Sequence, residues 1–462
     1  MNVNVTDESN GILKTIFLLA WPVFLEQIFT TLVGYADTAM VGSMGAEATA
    51  SVSIGQPLIM LLNGIMTALG VGITSLVARA AGAGDEERVR RLMRHAVLAV
   101  LVIGFPLSLA SVLLHRQIPL WMGAAPEILE TSADYYRIVC AGRFFMVTSM
   151  TLNAAFRGYG DTRTPLRGNM MMNLLNVILN YLLIYPSRRI RVFGLEMPMF
   201  GAGLGVRGAA IATAAGMTAA GCYALWVAFC RKGPYTIRLR GDWRPDPVLA
   251  GQILSISLPA MLERIFMSSA GIITSRTIAS LGTVSVAANS LGLTAESMSF
   301  MPAFAFQTAV TTLVGQSLGA KKPELAQRFA TATLLTGSAV MVFTGACLYL
   351  LAEPIIGIFT PDERVIRLAS RCLRITAFMQ VPQVVAWTIG GILRGAGDTK
   401  TNFYITAATN WLIRTVWCVV LVRVFHKDLV ACIYVQLAEI LIRFSLLFAV
   451  YRRGKWKNIP EG

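Results

Sequence analysis

The chain has 462 residues, of which 55% are hydrophobic and only 14% charged, with a formal net charge of +15. Soluble domains are about one quarter charged, and apolar runs of membrane-spanning length consume nearly the whole sequence, so no soluble catalytic or binding domain remains. The positive charge is no nucleic-acid footprint, because it crowds alternate loops between those runs.

Met1–Asn10 is polar and mildly acidic and lacks the basic start of a secretory signal. Apolar runs then predict helices at 13–36, 48–77, 95–116, 131–156, 166–186 and 205–230. A basic stretch bearing Gly233-Pro234 and Pro245-Asp246-Pro247 follows, and six more runs lie at 249–274, 285–314, 329–352, 368–393, 402–424 and 428–450. A spanning helix needs about 20 apolar residues. Gly and Pro within such runs are tolerated, because neighbouring helices satisfy the freed backbone groups.

The sequence is written twice. Pro22-Val23-Phe24-Leu25-Glu26 returns as Pro259-Ala260-Met261-Leu262-Glu263, and Arg157-Gly158-Tyr159-Gly160-Asp161-Thr162 returns as Arg394-Gly395-Ala396-Gly397-Asp398-Thr399, both shifted by 237 positions. Gly45, Gly82 and Asn173 meet Gly282, Gly319 and Asn410 at the same shift. Six spans per half make the repeat parallel, with its pseudo-twofold axis along the membrane normal. The expected fold is an all-α integral membrane protein of twelve transmembrane helices: a bundle over 1–230, a linker over 231–248 and a second bundle over 249–462. The two bundles face each other across a central cleft.

Arg79, Arg88, Arg90, Arg91 and Arg94, then Arg157, Arg163 and Arg167, then Arg231, Lys232, Arg238, Arg240 and Arg244, and later Lys321, Lys322, Arg328, Arg394, Lys400, Arg452, Arg453, Lys455 and Lys457, fall on one side; Arg188, Arg189, Arg191 and Arg207 form the discordant cluster on the other. The positive-inside rule then places both termini in the cytoplasm of a cell that carries the chain in its inner, or plasma, membrane. The seven Cys form no CxxC pair and read as small apolar packers.

Charges at membrane depth cost about 2.5–3.5 kcal/mol each on insertion scales, so each invites a functional reading. Glu26 and Asp37, 11 positions apart on the first helix, share a face. Position 274, the twin of Asp37, is Thr, so the fold does not require a carboxylate there. The fifth helix carries Asn169, Asn173, Asn176 and Asn180 on one face. Such a stripe reads equally as glue between helices or, with Asp37 and the hydroxyl of Thr213 beside Asn176 and Asn180, as a Na⁺-type donor set of carboxylate, amide and hydroxyl oxygens. Glu26, Glu263, Glu296 and Gln383 are further substrate or coupling candidates; for most of the second-half polar residues structural pairing, with Arg414 among the partners, is the competing reading, and Glu263 is singled out because it repeats Glu26. Glu439 and Arg443 are spaced for an ion pair. The Arg-Gly-x-Gly-Asp-Thr loops read as corners whose Asp caps the next helix.

Taken together, Pro22, Asp37-Thr38, Val41-Gly42 and Gly45, the twin Arg-Gly-x-Gly-Asp-Thr loops and the Asn176-x-x-x-Asn180 pattern resemble the multidrug and toxic compound extrusion (MATE) family, bacterial branch. The resemblance covers nearly the whole chain. It implies a V-shaped secondary antiporter that exports amphipathic, cationic compounds in exchange for Na⁺ or H⁺, needs no cofactor, and holds the cation at Asp37, Asn176, Asn180 and Thr213. Two positions depart from relatives: Asn180 and Gln383 stand where some carry Asp. A monomer in membrane lipid is expected. A lipid-linked oligosaccharide flippase of the same superfamily is the alternative, and an integral membrane enzyme a remote one, since neither HExxH nor GxSxG occurs.

Overall fold

In a computed structural model that describes residues 11–192, 195–238 and 243–458, helical rods stand at each of the expected places. In the first half they are α1 (Ile12–Gly42), α2 (Ala46–Gly82, interrupted after Ser53), α3 (Glu86–Leu113), α4 (Pro126–Tyr159), α5 (Arg163–Leu183) and α6 (Gly205–Cys230). In the second they are α7 (Pro247–Ala279), α8 (Thr283–Gly319), α9 (Pro323–Leu350), α10 (Glu363–Ala377, bent by 52° into Gln380–Gly395), α11 (Thr399–Arg423) and α12 (Leu429–Arg453). Among the described residues nine rods are long and apolar enough to cross a membrane, or ten with the bent pair counted as one. α5 and α8 are not among the nine. Both put polar groups inside the bundle, Asn173, Asn176 and Asn180 from α5 and Glu296 and Gln316 from α8, which lowers their hydropathy without exposing them to lipid. Met1–Asn10 and Arg240 lie outside the described residues.

A two-stranded antiparallel hairpin, β1 (Pro186–Val192) and β2 (Leu195–Ala202), joins α5 to α6. The sequence reading has no strand here; the basic run that holds Arg188, Arg189 and Arg191 lies on β1. Sharp turns before Ala46 and Thr283 are built by Gly45 and Gly282, at φ of 107° and 97°, a left-handed setting that costs glycine little.

The halves meet along a seam at the end of the bundle that carries the basic loops. There α2 crosses α8 so closely that a Cβ on Gly82 would stand 1.9 Å from the Gln316 carbonyl oxygen, and one on Gly319 2.0 Å from that of Arg79. Ile16, Leu19, Ala20 and Val23 of α1 pack on Phe306, Ala309 and Leu313 of α8. Leu249, Ile253 and Ile256 of α7 join the core formed by Leu69, Ile73 and Val77. Toward the opposite end this contact is not continued: around Gly34 of α1 and its twin Gly271 of α7 no atom lies within 4 Å of where a Cβ would be. The result is a cleft closed at the basic-loop end. The start of the linker belongs to the first bundle, since Tyr235 and Ile237 are buried in its core.

Candidate functional site

Arg79 is no loop charge, as alternate-loop counting would have it. It is buried, and its Nη2 donates across the seam to the Ala396 carbonyl. The twin position in the second half is Gln316, whose Nε2 donates at 3.0 Å to the Gly158 carbonyl. Thr312 Oγ1 adds a bond to the Arg157 carbonyl at 2.9 Å. Each second helix of a half therefore grips the Arg-Gly-x-Gly-Asp-Thr corner of the other half. The corners do cap helices: Asp161 accepts from the Thr164 amide and Asp398 from the Thr401 amide, both at 3.0 Å. Asp161 also accepts from the Tyr235 hydroxyl at 2.9 Å, and burial together with that carboxylate pushes the Tyr235 phenol well above its ordinary range, so it stays a neutral donor.

Inside the first half, α1 and α5 are zipped by their polar faces. Asn169 donates to Glu26, Asn173 to Thr30 at 3.5 Å, and Asn180 to Asp37 at 2.5 Å. Every donor lies 143 residues beyond its acceptor, so the two helices run parallel in a single register. At the upper end of this zipper, away from the seam, Asn180 also donates to Asn176 Oδ1 at 3.2 Å, and Asn176 donates to Thr213 Oγ1 at 3.2 Å. Tyr135 of α4, buried, bonds to Thr213 from the other side. Asn180 has no solvent exposure, and its Oδ1 has no donor. An orphan buried oxygen beside a carboxylate, an amide oxygen and a hydroxyl fits a hard cation, which wants oxygen ligands. The four residues of the expected cation set are thus brought together.

Glu26 lies at the lower end of the zipper, where Arg157 Nη2 donates to it at 2.6 Å. The second half repeats the pair: Arg394 Nη2 donates to Glu263 Oε1 at 3.1 Å, while Asn402 donates to Oε2 at 2.9 Å. Glu263 is thus paired with Arg394, while Arg414 donates to Gln436 at 3.1 Å. A cavity of about 350 Å³ lies between the halves here, just above the seam, and one of about 130 Å³ lies within the second half and shares part of its lining. Glu26 lines the larger, Glu263 the smaller, and Arg264, Phe304, Gln307 and Arg394 line both.

A family model described as MatE matches residues 22–182 and again 259–420, once in each half. The chain belongs to the MatE family. It is accordingly a membrane transporter and not an enzyme. Among its relatives in the family is a probable multidrug resistance protein NorM of Thermotoga maritima, 28% identical over 98% of this chain and 95% of that protein. A probable multidrug resistance protein NorM of Mannheimia succiniciproducens is 28% identical over 87% of this chain and 84% of its own length. A crystal structure of MATE in the bent conformation superposes with a TM-score of 0.87 over 98% of both chains at 22% identity, which establishes the shared fold.

Seen as a MatE transporter, the chain has one half with an acid-bearing oxygen nest and one without it. Thr274, in the place of Asp37, has a buried hydroxyl with no partner. The second half holds a different network: Thr409 donates to Glu439 at 3.0 Å, and Arg443 stands 3.4 Å from the same carboxylate. Glu296 and Gln383 are buried, each with a side-chain oxygen lacking a donor, and neither borders the central cavities. Reasoning from sequence passed over Arg79, Gln316 and Tyr135. The constant shift of 237 that pairs Arg79 with Gln316 was the signal that could have singled out the first two.

Proposed function

We propose that the chain is a multidrug efflux antiporter that exports amphipathic compounds, cationic ones among them, in exchange for Na⁺ or H⁺. The observation that carries this is the Asp37 nest, where one carboxylate and the unpartnered Asn180 oxygen wait beside Asn176 and Thr213. A cation bound there, or a proton on Asp37, replaces the amide as partner of the carboxylate and loosens the α1–α5 zipper at that end. Coupling requires that the occupied and empty nest favour different arrangements of the halves. The basic loops favour a cytoplasmic seam with both termini on that side, so the cleft described above faces outward, the state that takes up the cation and releases cargo.

The flippase alternative calls for a cavity rich in unpaired cations. Arg157 and Arg394 are neutralised by Glu26 and Glu263, which among the described residues of the cavity lining leaves that reading the Arg264 guanidinium and makes export the better supported of the two.

Cationic-dye transport into proteoliposomes under an imposed Na⁺ or H⁺ gradient tests the proposal. Transport driven by one gradient and lost in Asp37→Asn supports it and names the ion. Absence of gradient-driven transport in the wild type sinks it, and transport surviving in Asp37→Asn moves the coupling site elsewhere.

A further inference from the structure

The charges around the central cavities do not cancel. Glu26 is taken by Arg157, both oxygens of Glu263 by Arg394 and Asn402, and Arg443 stands beside Glu439. Arg264 is left over. Its side chain lines both cavities, and among the described residues its guanidinium has neither a hydrogen bond nor an ion pair. The twin of this position in the first half is Gln27, which lines the larger cavity and is likewise without a partner among the described residues. A neutral amide serves there, so the architecture of a half does not demand a cation at this point. Arg264 is exposed toward the cleft, and although Glu263 is its neighbour in sequence, both oxygens of that carboxylate are taken by Arg394 and Asn402, so an anion that enters the cleft meets a guanidinium whose hydrogen bonds are unused. The rest of the lining suits an apolar body: Val71, Met146, Met150, Met172 and Phe304.

We infer that the closed end of the cleft is an oxyanion subsite, in which Arg264, with the Gln27 amide opposite, receives the carboxylate or phosphate head of an amphiphile whose apolar body lies along the methionines. Arg is the side chain suited to this task, because its planar fork matches both oxyanions and stays charged. Two sources supply that chemistry: a free anionic amphiphile drawn from water, and the headgroup of an anionic membrane lipid. The subsite lies below the Asp37 nest: Gln27 is 10 positions before Asp37 on α1, about 15 Å along the helix. It deepens the exporter reading by adding a class of cargo, and the test is a binding measurement without any gradient, so that the two can fail separately.

The full-length protein in nanodiscs of phosphatidylcholine is titrated with 11-(dansylamino)undecanoic acid and with its methyl ester at a pH where the acid is ionised. A charge-assisted contact predicts that the wild type binds the acid about tenfold or more tighter than the ester. In Arg264→Gln, which installs the residue of the twin position, that preference disappears while ester affinity is kept; Arg264→Lys retains part of it. A wild type that does not discriminate acid from ester overturns the proposal without reference to any variant, and so does an Arg264→Gln protein that still discriminates. Exchanging part of the phosphatidylcholine for phosphatidylglycerol then separates the sources. Displacement of the acid assigns the subsite to lipid headgroups, and undiminished binding assigns it to free amphiphiles. Gradient-driven efflux is read apart from all of this: efflux with no acid preference removes the subsite alone, and acid preference without efflux removes the antiport reading alone.

Discussion

Asn180 donates to Asp37 at 2.5 Å and at the same time keeps its own carbonyl oxygen buried with no donor. The amide thus holds the carboxylate in place and offers an empty acceptor beside it. Asn180→Ala removes that acceptor together with the amide that holds Asp37, and keeps the carboxylate itself. Loss of one such contact is worth about 1–1.5 kcal/mol, so the cation concentration that half-saturates efflux should rise about tenfold at an unchanged maximal rate. An unaltered half-saturation point would exclude the Asn180 oxygen from the cation's shell.

Glu26 and Arg157 form a largely buried pair with few alternatives for either charge. Removing only the acid, in Glu26→Ala, strands the guanidinium and is expected to destabilise the protein by about 2–3 kcal/mol. The double variant Glu26→Ala/Arg157→Ala should lose less than the sum of the two single changes, because neither charge is then left alone. Melting in detergent for the four proteins provides the measurement, and simple additivity would contradict the pairing.

Gly82 and Gly319 let two backbones pass where no side chain fits. Gly82→Ala is expected to pry the seam apart and to raise the population that opens at the basic-loop end. Ser75, fully buried near the seam, is the reporter: a Ser75→Cys thiol should react with a maleimide several-fold faster in the Gly82→Ala background, read by mass spectrometry at that position. Equal rates in the two backgrounds would mean that the seam closes regardless.

Orientation has a direct test. A fluorescent protein that matures only in the cytoplasm, fused after Gly462, is expected to fluoresce in bacteria; a periplasmic reporter active at the same junction would reverse the assignment of the seam and of the cleft.

Glu26 and Arg157 also mark the limit of what could be read in advance. Each was visible as half of a repeated motif, Pro-x-x-x-Glu in one case and Arg-Gly-x-Gly-Asp-Thr in the other, and the helical places followed from hydropathy alone. That the two motifs are partners was not visible, because they lie 131 residues apart and no local rule joins them. The Asn stripe of α5 was legible from its helical spacing, and so was its grouping with Asp37 and Thr213. Arg79 was misplaced for a physical reason: an arginine near a helix end looks like any other positive-inside charge until the partner half is present to receive it. The hairpin between α5 and α6 gave no warning either, since a short basic segment beside a membrane helix has no strand alternation strong enough to stand out.

The single register of the α1–α5 zipper has a mechanical consequence. Asp37 and Glu26 are 11 residues apart on one helix, roughly 16 Å at 1.5 Å per residue, and both are tied to the same neighbour at the same offset. Below Glu26, α1 continues directly into Ile16, Leu19 and Val23, which bear on α8 of the other half. One helix therefore runs from the proposed cation nest at its upper end to a packed contact with the opposing half at its lower end. Pro22, with Val23 above it and Leu19 and Ile16 below, breaks the backbone hydrogen-bond ladder within that contact, so a displacement passed down α1 would meet a point where the rod can bend.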